Sequence, residues 1–235
     1  MCTVVIRVPE TVGTPISLLA VRDEDPARPW NPLGRWWPDD PDVVGVQDRL
    51  AGGAWMAARG GRLAVTLNRH GDPDLPPERI VSRGSLAVDA AAGRPQPDTH
   101  AMRGFNLVTI ADGAARVTSW DGIRMSGEEI PPGTHMLAHH DLDDPRSERI
   151  TAWRDAFADA ELGAGGDWYL PWIDLLERTS EVGPTDDRAI VRDNRPLGYP
   201  TLSTLACVAR ITPGTADVQY AEFDAPGQWA PLSFA

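Results

Sequence analysis

The chain has 235 residues, of which 42% are hydrophobic and 24% charged, and its net charge is −12 at pH 7. Nucleic-acid-binding proteins usually present a basic surface, so this charge argues against a nucleic-acid partner. The sequence has no apolar run of about 18 residues and no signal peptide, so we expect a cytoplasmic protein without a membrane span.

The first half of the chain predicts strands joined by tight turns. Apolar runs over residues 3–8 and 16–21 predict one hairpin, and runs over 52–58 and 62–68 predict a second one. Gly60 and Gly61 between the latter two runs are a typical two-residue hairpin turn. Residues 28–41 are rich in tryptophan and proline without a clear period, which predicts an ordered loop.

The second half mixes helices with further strands. The predicted elements in chain order are a helix over 86–92, strands over 105–111, 115–120 and 133–138, helices over 146–162 and around 168–176, and strands over 202–211 and 218–223. The successive hairpins favour antiparallel sheets over parallel βαβ units. We therefore expect a single α+β domain over residues 1–235.

The position of Cys2, directly after the initiator methionine, is the most informative feature of the chain. Removal of Met1 would leave a thiol and a free α-amine on the same residue, at the start of an apolar strand. The amine can then act as the base for the thiol, so nucleophilic chemistry is possible at this residue without a histidine. The second cysteine, Cys207, lies in an apolar run and is predicted to be a core residue.

Polar clusters follow several of the predicted strands. They are Arg22-Asp23, Asn68-Arg69-His70 and His139-His140-Asp141. Each cluster alone is typical of a solvated strand end. Together with Cys2, they could converge on one edge of a sheet.

Several short segments occur in the order in which they occur in a known family. They are Met1-Cys2, Val21-Arg22-Asp23-Glu24, Gly52-Gly53-Ala54-Trp55-Met56, Leu63-Ala64-Val65-Thr66-Leu67-Asn68, Ser82-Arg83-Gly84, Gly104-Phe105-Asn106-Leu107, Leu142-Asp143-Asp144-Pro145 and Ser203-Thr204. Over residues 1–210 the sequence resembles the NRDE family, which comprises transport and Golgi organisation proteins. The all-arginine basic residues also indicate a GC-rich bacterial genome.

The NRDE family is similar to N-terminal nucleophile (Ntn) hydrolases of the penicillin V acylase and bile salt hydrolase branch. This resemblance implies a four-layer αββα sandwich and hydrolysis of an amide-type bond in a small molecule, without a cofactor. It implies Cys2 as nucleophile, with Arg22 and Asp23 orienting the N-terminal residue. Asn68 matches an asparagine that could stabilise the oxyanion, since a positioned donor can stabilise that charge.

Three positions depart from the family pattern, because Val21 and His139 replace asparagines and Leu202 replaces an arginine. We expect His139 and Trp55 to contact the substrate. A carrier for haem or an acyl compound on the same scaffold is the alternative function. A metal-dependent enzyme at His135, His139 and His140 is a third possibility, since these residues have the ligand type and spacing of metal sites.

Overall fold

Two antiparallel sheets form the centre of the computed structural model, which describes residues 2–11 and 13–235. The strands in these described residues are β1 Thr3–Val8, β2 Ile16–Glu24, β3 Trp30–Gly34, β4 Val44–Asp48, β5 Ala54–Arg59, β6 Arg62–Asn68, β7 Phe105–Ala111, β8 Ala114–Trp120, β9 Met125–Glu129, β10 Gly133–Leu137, β11 Leu202–Ile211 and β12 Ala216–Glu222. One sheet has the order β10-β1-β2-β11-β12, and the other runs β3 to β9 in sequence.

Helices cover the outer face of each sheet. Helix α1 (Ser85–Ala92) packs on the seven-stranded sheet, whereas α2 (Glu148–Asp159) and α3 (Leu170–Ser180) cover the five-stranded sheet. Apolar residues of both sheets form a third core between them. These layers confirm the predicted αββα sandwich. Within the described part of the chain, no helix is long and apolar enough to cross a membrane.

The alternation of side chains in β2 decides what the polar residues at its end contact. Leu18 and Ala20 belong to the core between the sheets, whereas Leu19 and Val21 belong to the core beneath the helices. Because successive side chains of a strand point to opposite faces, the following Arg22 and Asp23 lie on opposite sides of the sheet. Both are buried inside β2 and do not form the solvated strand end that the sequence suggested.

The loop predicted over residues 28–41 is wrong in part, because it contains β3. This strand pairs with β4, which the sequence analysis also missed. Pro32 is compatible with β3 because β3 is an edge strand with an irregular register between Asn31 and Gly34. Strand β9 was missed as well, since all five of its residues are exposed and show no apolar alternation.

A histidine–aspartate pair fixes β10 to the turn that follows it, and it predicts a pH-dependent stability. His135 Nδ1 lies 2.6 Å from Asp143 Oδ2, and its Nε2 lies 3.0 Å from the Pro131 carbonyl oxygen. The hydrogen bond to Asp143 raises the pKa of His135. The stabilisation by the imidazolium is therefore fully present below about pH 6.5, the unfolded pKa, and is lost as the pH rises through the higher folded pKa.

We expect His135→Gln to lower the free energy of unfolding by about 1–3 kcal/mol at pH 6, and by clearly less at pH 9. The same hydrogen bond lowers the pKa of Asp143, whose contribution is therefore present at both pH values. Urea unfolding of this variant and of His100→Gln, at an exposed histidine, measures the difference. An equal loss at both pH values would contradict the prediction.

Candidate active site

A polar cavity of about 210 Å³ opens where several strands of both sheets end. Cys2 precedes β1, Glu24 ends β2 and Asn68 ends β6, so the cavity lies at one end of the sandwich. The lining residues are Cys2, Arg22, Asp23, Glu24, Arg28, Asp48, Ala54, Trp55, Thr66, Asn68, Ser82, Arg83 and Gly84. The structure thus brings together five of the six residues that the sequence analysis singled out, and His139 is not among the lining residues.

The thiol of Cys2 is buried in the cavity wall and is held by the backbone of Asp23. Its Sγ accepts a hydrogen bond from the Asp23 amide at 3.4 Å and lies 3.7 Å from the Asp23 carbonyl oxygen. Burial, followed by the charge of Asp23, raises the pKa of the thiol, although Arg22 acts in the opposite direction. The charge of Arg22 therefore favours the thiolate, but the effect of burial on the pKa is larger.

A chain of alternating charges crosses the cavity wall from Arg22. Its Nη2 donates to Glu24 Oε2 at 2.9 Å, and Arg28 lies 4.0 Å from the same carboxylate. Arg28 also donates to Asp48 Oδ2 at 2.8 Å through Nε. Burial alone would raise the pKa of Asp48, but this hydrogen bond and two backbone amides lower it. Both acidic side chains of this chain of charges are thus engaged by arginines.

The carboxylate of Asp23 is fixed by residues that are distant in the sequence. Ser203 Oγ donates to Asp23 Oδ1 at 2.6 Å, and Asn194 Nδ2 donates to Asp23 Oδ2 at 3.2 Å. Asn194 is itself oriented by the fully buried Arg192, whose Nε donates to its Oδ1 at 3.1 Å. Arg192 also pairs with Asp187 at 2.8 Å. The network restrains the Asp23 carboxylate, because Ser203 and Asn194 hold its two oxygens and Arg192 holds Asn194.

Two buried arginines lie close to Asp23. Besides Arg192, Arg149 of α2 is buried and donates from Nη1 to Thr3 Oγ1 at 2.8 Å, directly after Cys2. Burial, followed by the charge of Arg192, lowers the pKa of Arg149 to about 10. Arg149 thus stays cationic at neutral pH and acts on both Asp23 and Cys2.

Several hydrogen-bond donors of the cavity residues have no partner within residues 2–11 and 13–235. Arg22 Nη1, Trp55 Nε1 and Thr66 Oγ1 are buried and unpaired. Asn68 is exposed at the end of β6. Unpaired buried donors are costly, so a bound acceptor group would compensate them.

The two remaining polar clusters meet each other beside the cavity. Arg69 Nη2 pairs with Asp141 Oδ1 at 2.6 Å, and the ring centroids of His70 and His139 lie 5.3 Å apart. The pKa of His139 is lowered to about 3, mainly by burial and secondly by the charge of neighbouring His140. His139 is therefore neutral at physiological pH. In the described residues, no group of three potential ligand side chains is placed to hold a metal ion. His135, His139 and His140 therefore do not form the metal site considered above.

Sequence reasoning did not assign a role to several residues that the structure places at the site. Arg83 occurs only within the segment Ser82-Arg83-Gly84, and Glu24 only at the end of Val21-Arg22-Asp23-Glu24. Thr66 lies in a predicted strand in which only the last residue, Asn68, was assigned a role. Asn194 carries no signal at all, because a lone asparagine in a polar segment has no distinguishing pattern.

Comparisons with known proteins place the chain in a family. A comparison with curated protein sequences finds no match. Among solved structures, the chain is similar to a Caenorhabditis elegans N-acylethanolamine-hydrolyzing acid amidase ortholog, with 13% identity, a TM-score of 0.46, and coverage of 92% of this chain and 94% of that chain. The family model for Transport and Golgi organisation 2 matches residues 1–162. The chain therefore belongs to the Transport and Golgi organisation 2 family.

Proposed function

We propose that this protein hydrolyses a non-peptide amide bond in a small molecule, with Cys2 as the nucleophile after removal of Met1. The supporting observation is that the thiol of Cys2 lies in the wall of a polar cavity together with a cation and unpaired donors. Because the pKa of the thiol is raised, it needs a proton acceptor. The α-amine of a processed Cys2 is that acceptor.

The reaction has two halves. The α-amine takes the thiol proton, the sulfur bonds to the amide carbonyl carbon, and the carbonyl electron pair moves to oxygen. The carbon–nitrogen bond then breaks, and the leaving amine takes the proton from the α-ammonium, which leaves a thioester. Water attacks the thioester and gives a proton to the α-amine. The carbon–sulfur bond then breaks, the α-ammonium returns the proton to sulfur, and a carboxylic acid and the free thiol result.

The surrounding residues have separate roles in this scheme. Asn68 donates to the oxyanion, and one such donor is worth roughly 10²–10³ in rate. Arg22 stabilises the thiolate, since a nearby cation favours the charged form. Asp23 holds the α-ammonium, and its own position is fixed by Ser203 and Asn194. Trp55 lines the substrate cavity, and His139 stays a predicted substrate contact.

A carrier of haem or a long acyl chain is less consistent with this cavity. Sites for drug-sized ligands are usually about 300–1,000 Å³ and mostly apolar. The cavity beside Cys2 is about 210 Å³ and is lined mainly by charged and polar side chains. We therefore favour hydrolysis of a small polar compound over transport of a large apolar one.

Intact mass and selective alkylation test the proposed nucleophile. We expect mass spectrometry of the active protein to show the loss of Met1. We expect iodoacetamide to label Cys2 far faster than Cys207, because Cys207 is fully buried and burial raises the pKa of its thiol. The urea-unfolded chain, in which both thiols are accessible, is the control. Active protein that retains Met1 would contradict the mechanism, and so would equal labelling of the two thiols in the folded state.

A further inference from the structure

We propose that the cavity binds anionic amides, namely small N-acyl amino acids whose carboxylate is held by Arg83. This inference rests on the proposed function and names the substrate class of the same site. It assigns Arg83 to substrate specificity and leaves the bond-breaking steps to Cys2.

The charges around the cavity leave Arg83 as the cation without an acidic partner. The carboxylates of Glu24 and Asp48 are engaged by Arg22 and Arg28. In the described residues, no carboxylate forms an ion pair with Arg83, whose Nη1 donates instead to the Gly104 carbonyl oxygen at 2.6 Å.

The environment of Arg83 favours an added negative charge. Arg83 is half-buried. Burial lowers the pKa of its guanidinium, whereas a charge on Cys2 would raise it. Glu24 and Asp72 also favour the charged guanidinium at longer range, and Arg103 opposes it. A partly buried cation without a paired anion has lost some of its hydration, so a carboxylate of the ligand would stabilise it. Arginine binds carboxylates through two parallel hydrogen bonds, which gives geometric specificity as well.

The backbone holds Arg83 in place before any ligand binds. The next residue, Gly84, accepts a hydrogen bond from the Ala54 amide at 2.8 Å. Gly53 and Gly84 pack so closely that a Cβ on Gly53 would lie 2.0 Å from the Gly84 carbonyl oxygen. The segment that carries Arg83 is thus fixed against β5, and its side chain is anchored on Gly104. Little conformational freedom is lost when a preorganised arginine binds an anion.

The size and donors of the cavity define the rest of the ligand. A volume of about 210 Å³ accommodates a ligand smaller than most drug-like molecules. Arg83 and Cys2 both line this cavity, so the guanidinium and the thiol face the same small space. In an N-acyl amino acid, the carboxylate is only two bonds from the amide nitrogen. A single small ligand can therefore reach Arg83 and present its amide carbonyl to Cys2.

Binding to the full-length Cys2→Ala protein tests this proposal without turnover. The probes are N-acetylglycine and its uncharged analogue N-acetylglycinamide, titrated by NMR with the indole N–H of Trp55 as the reporter in the cavity. We expect N-acetylglycine to bind about ten- to a hundredfold more tightly than the amide. Adding Arg83→Gln should bring the ratio to about one, whereas Arg83→Lys should retain part of the preference.

Arg79→Gln, at an exposed arginine four residues away, is the matched control and should keep the full preference. Equal affinity for the two probes, or binding of neither, overturns the proposal, as does an unchanged preference in a folded Arg83→Gln protein. If Arg83→Gln does not fold, the preference of the parent protein and the response of Arg83→Lys decide. The labelling of Cys2 uses an uncharged reagent, so a failed anion preference leaves the proposed nucleophile standing.

Discussion

Cys2→Ala is expected to abolish hydrolysis of an amide substrate, with a loss of about 10⁶ in kcat, the size found when a covalent nucleophile is removed elsewhere. The physical reason is that no other thiol can reach the substrate. Cys207 is the second cysteine, and it lies fully buried in β11 within the core between the sheets. Steady-state turnover of the purified variant measures the effect.

The matched control is Cys207→Ala, which should keep kcat within a few-fold of the parent protein. Cys2→Ser should fall between the two variants, because a hydroxyl is a weaker nucleophile than a thiol. A Cys2→Ala protein that still turns over its substrate would exclude the mechanism. A Cys2→Ala protein that keeps ligand binding, in a chain where the parent shows no turnover, would instead indicate a carrier.

The strands that could be predicted from the sequence are those whose side chains meet a core on at least one face. The runs that form β1, β6, β7 and β11 are largely buried, so their apolar residues are visible in the sequence as strand patterns. Strand β9 is exposed throughout, and β3 contains a proline at an irregular register. Edge strands of this kind are specified by their neighbours, and local sequence carries little information about them.

The site could be predicted only where a motif marks it. Cys2, Arg22 and Asn68 stand at the ends of recognisable segments. The antiparallel pairing of β1 with β2 brings the first two together, and the packing of the two sheets adds Asn68. The partners of Asp23 could not be predicted, because Asn194 and Ser203 lie 171 and 180 residues away from it in the chain. Buried polar residues also look like solvated ones in a sequence, since only the tertiary structure removes them from water.

The raised pKa of Cys2 makes the reactivity of its thiol depend on a nearby base. A thiol that ionised readily would react with any electrophile in solution, whereas a buried thiol with a raised pKa stays protonated until a local base accepts its proton. In the proposed mechanism, the base and the nucleophile belong to one residue, so turnover depends on what fixes the amine. Asp23, on the helix side of β2, is the carboxylate to which this mechanism gives that role.

Asp23→Ala is expected to lower the free energy of unfolding by about 3–5 kcal/mol and to abolish turnover. Asp23 is only 3% exposed, and loss of its carboxylate removes the acidic acceptor of Ser203 and Asn194 beside the buried Arg149. The remaining acceptors of these two donors are neutral oxygens of Ile190 and Thr201. Urea unfolding at pH 7 measures the stability. Asp174→Ala, at an exposed position of α3, is the control and should change the free energy of unfolding by less than about 0.5 kcal/mol.

Asp23→Asn separates the role of the charge from that of the network. The amide has the same shape, so its oxygen can accept from Asn194 and its nitrogen can donate to Ser203 Oγ. We therefore expect a smaller loss of stability than in Asp23→Ala, but a comparable loss of kcat, because a neutral amide holds an ammonium less well than a carboxylate does. Full turnover by Asp23→Asn would show that the charge is not needed. An Asp23→Ala protein as stable as Asp174→Ala would show that the network does not hold this end of the sandwich together.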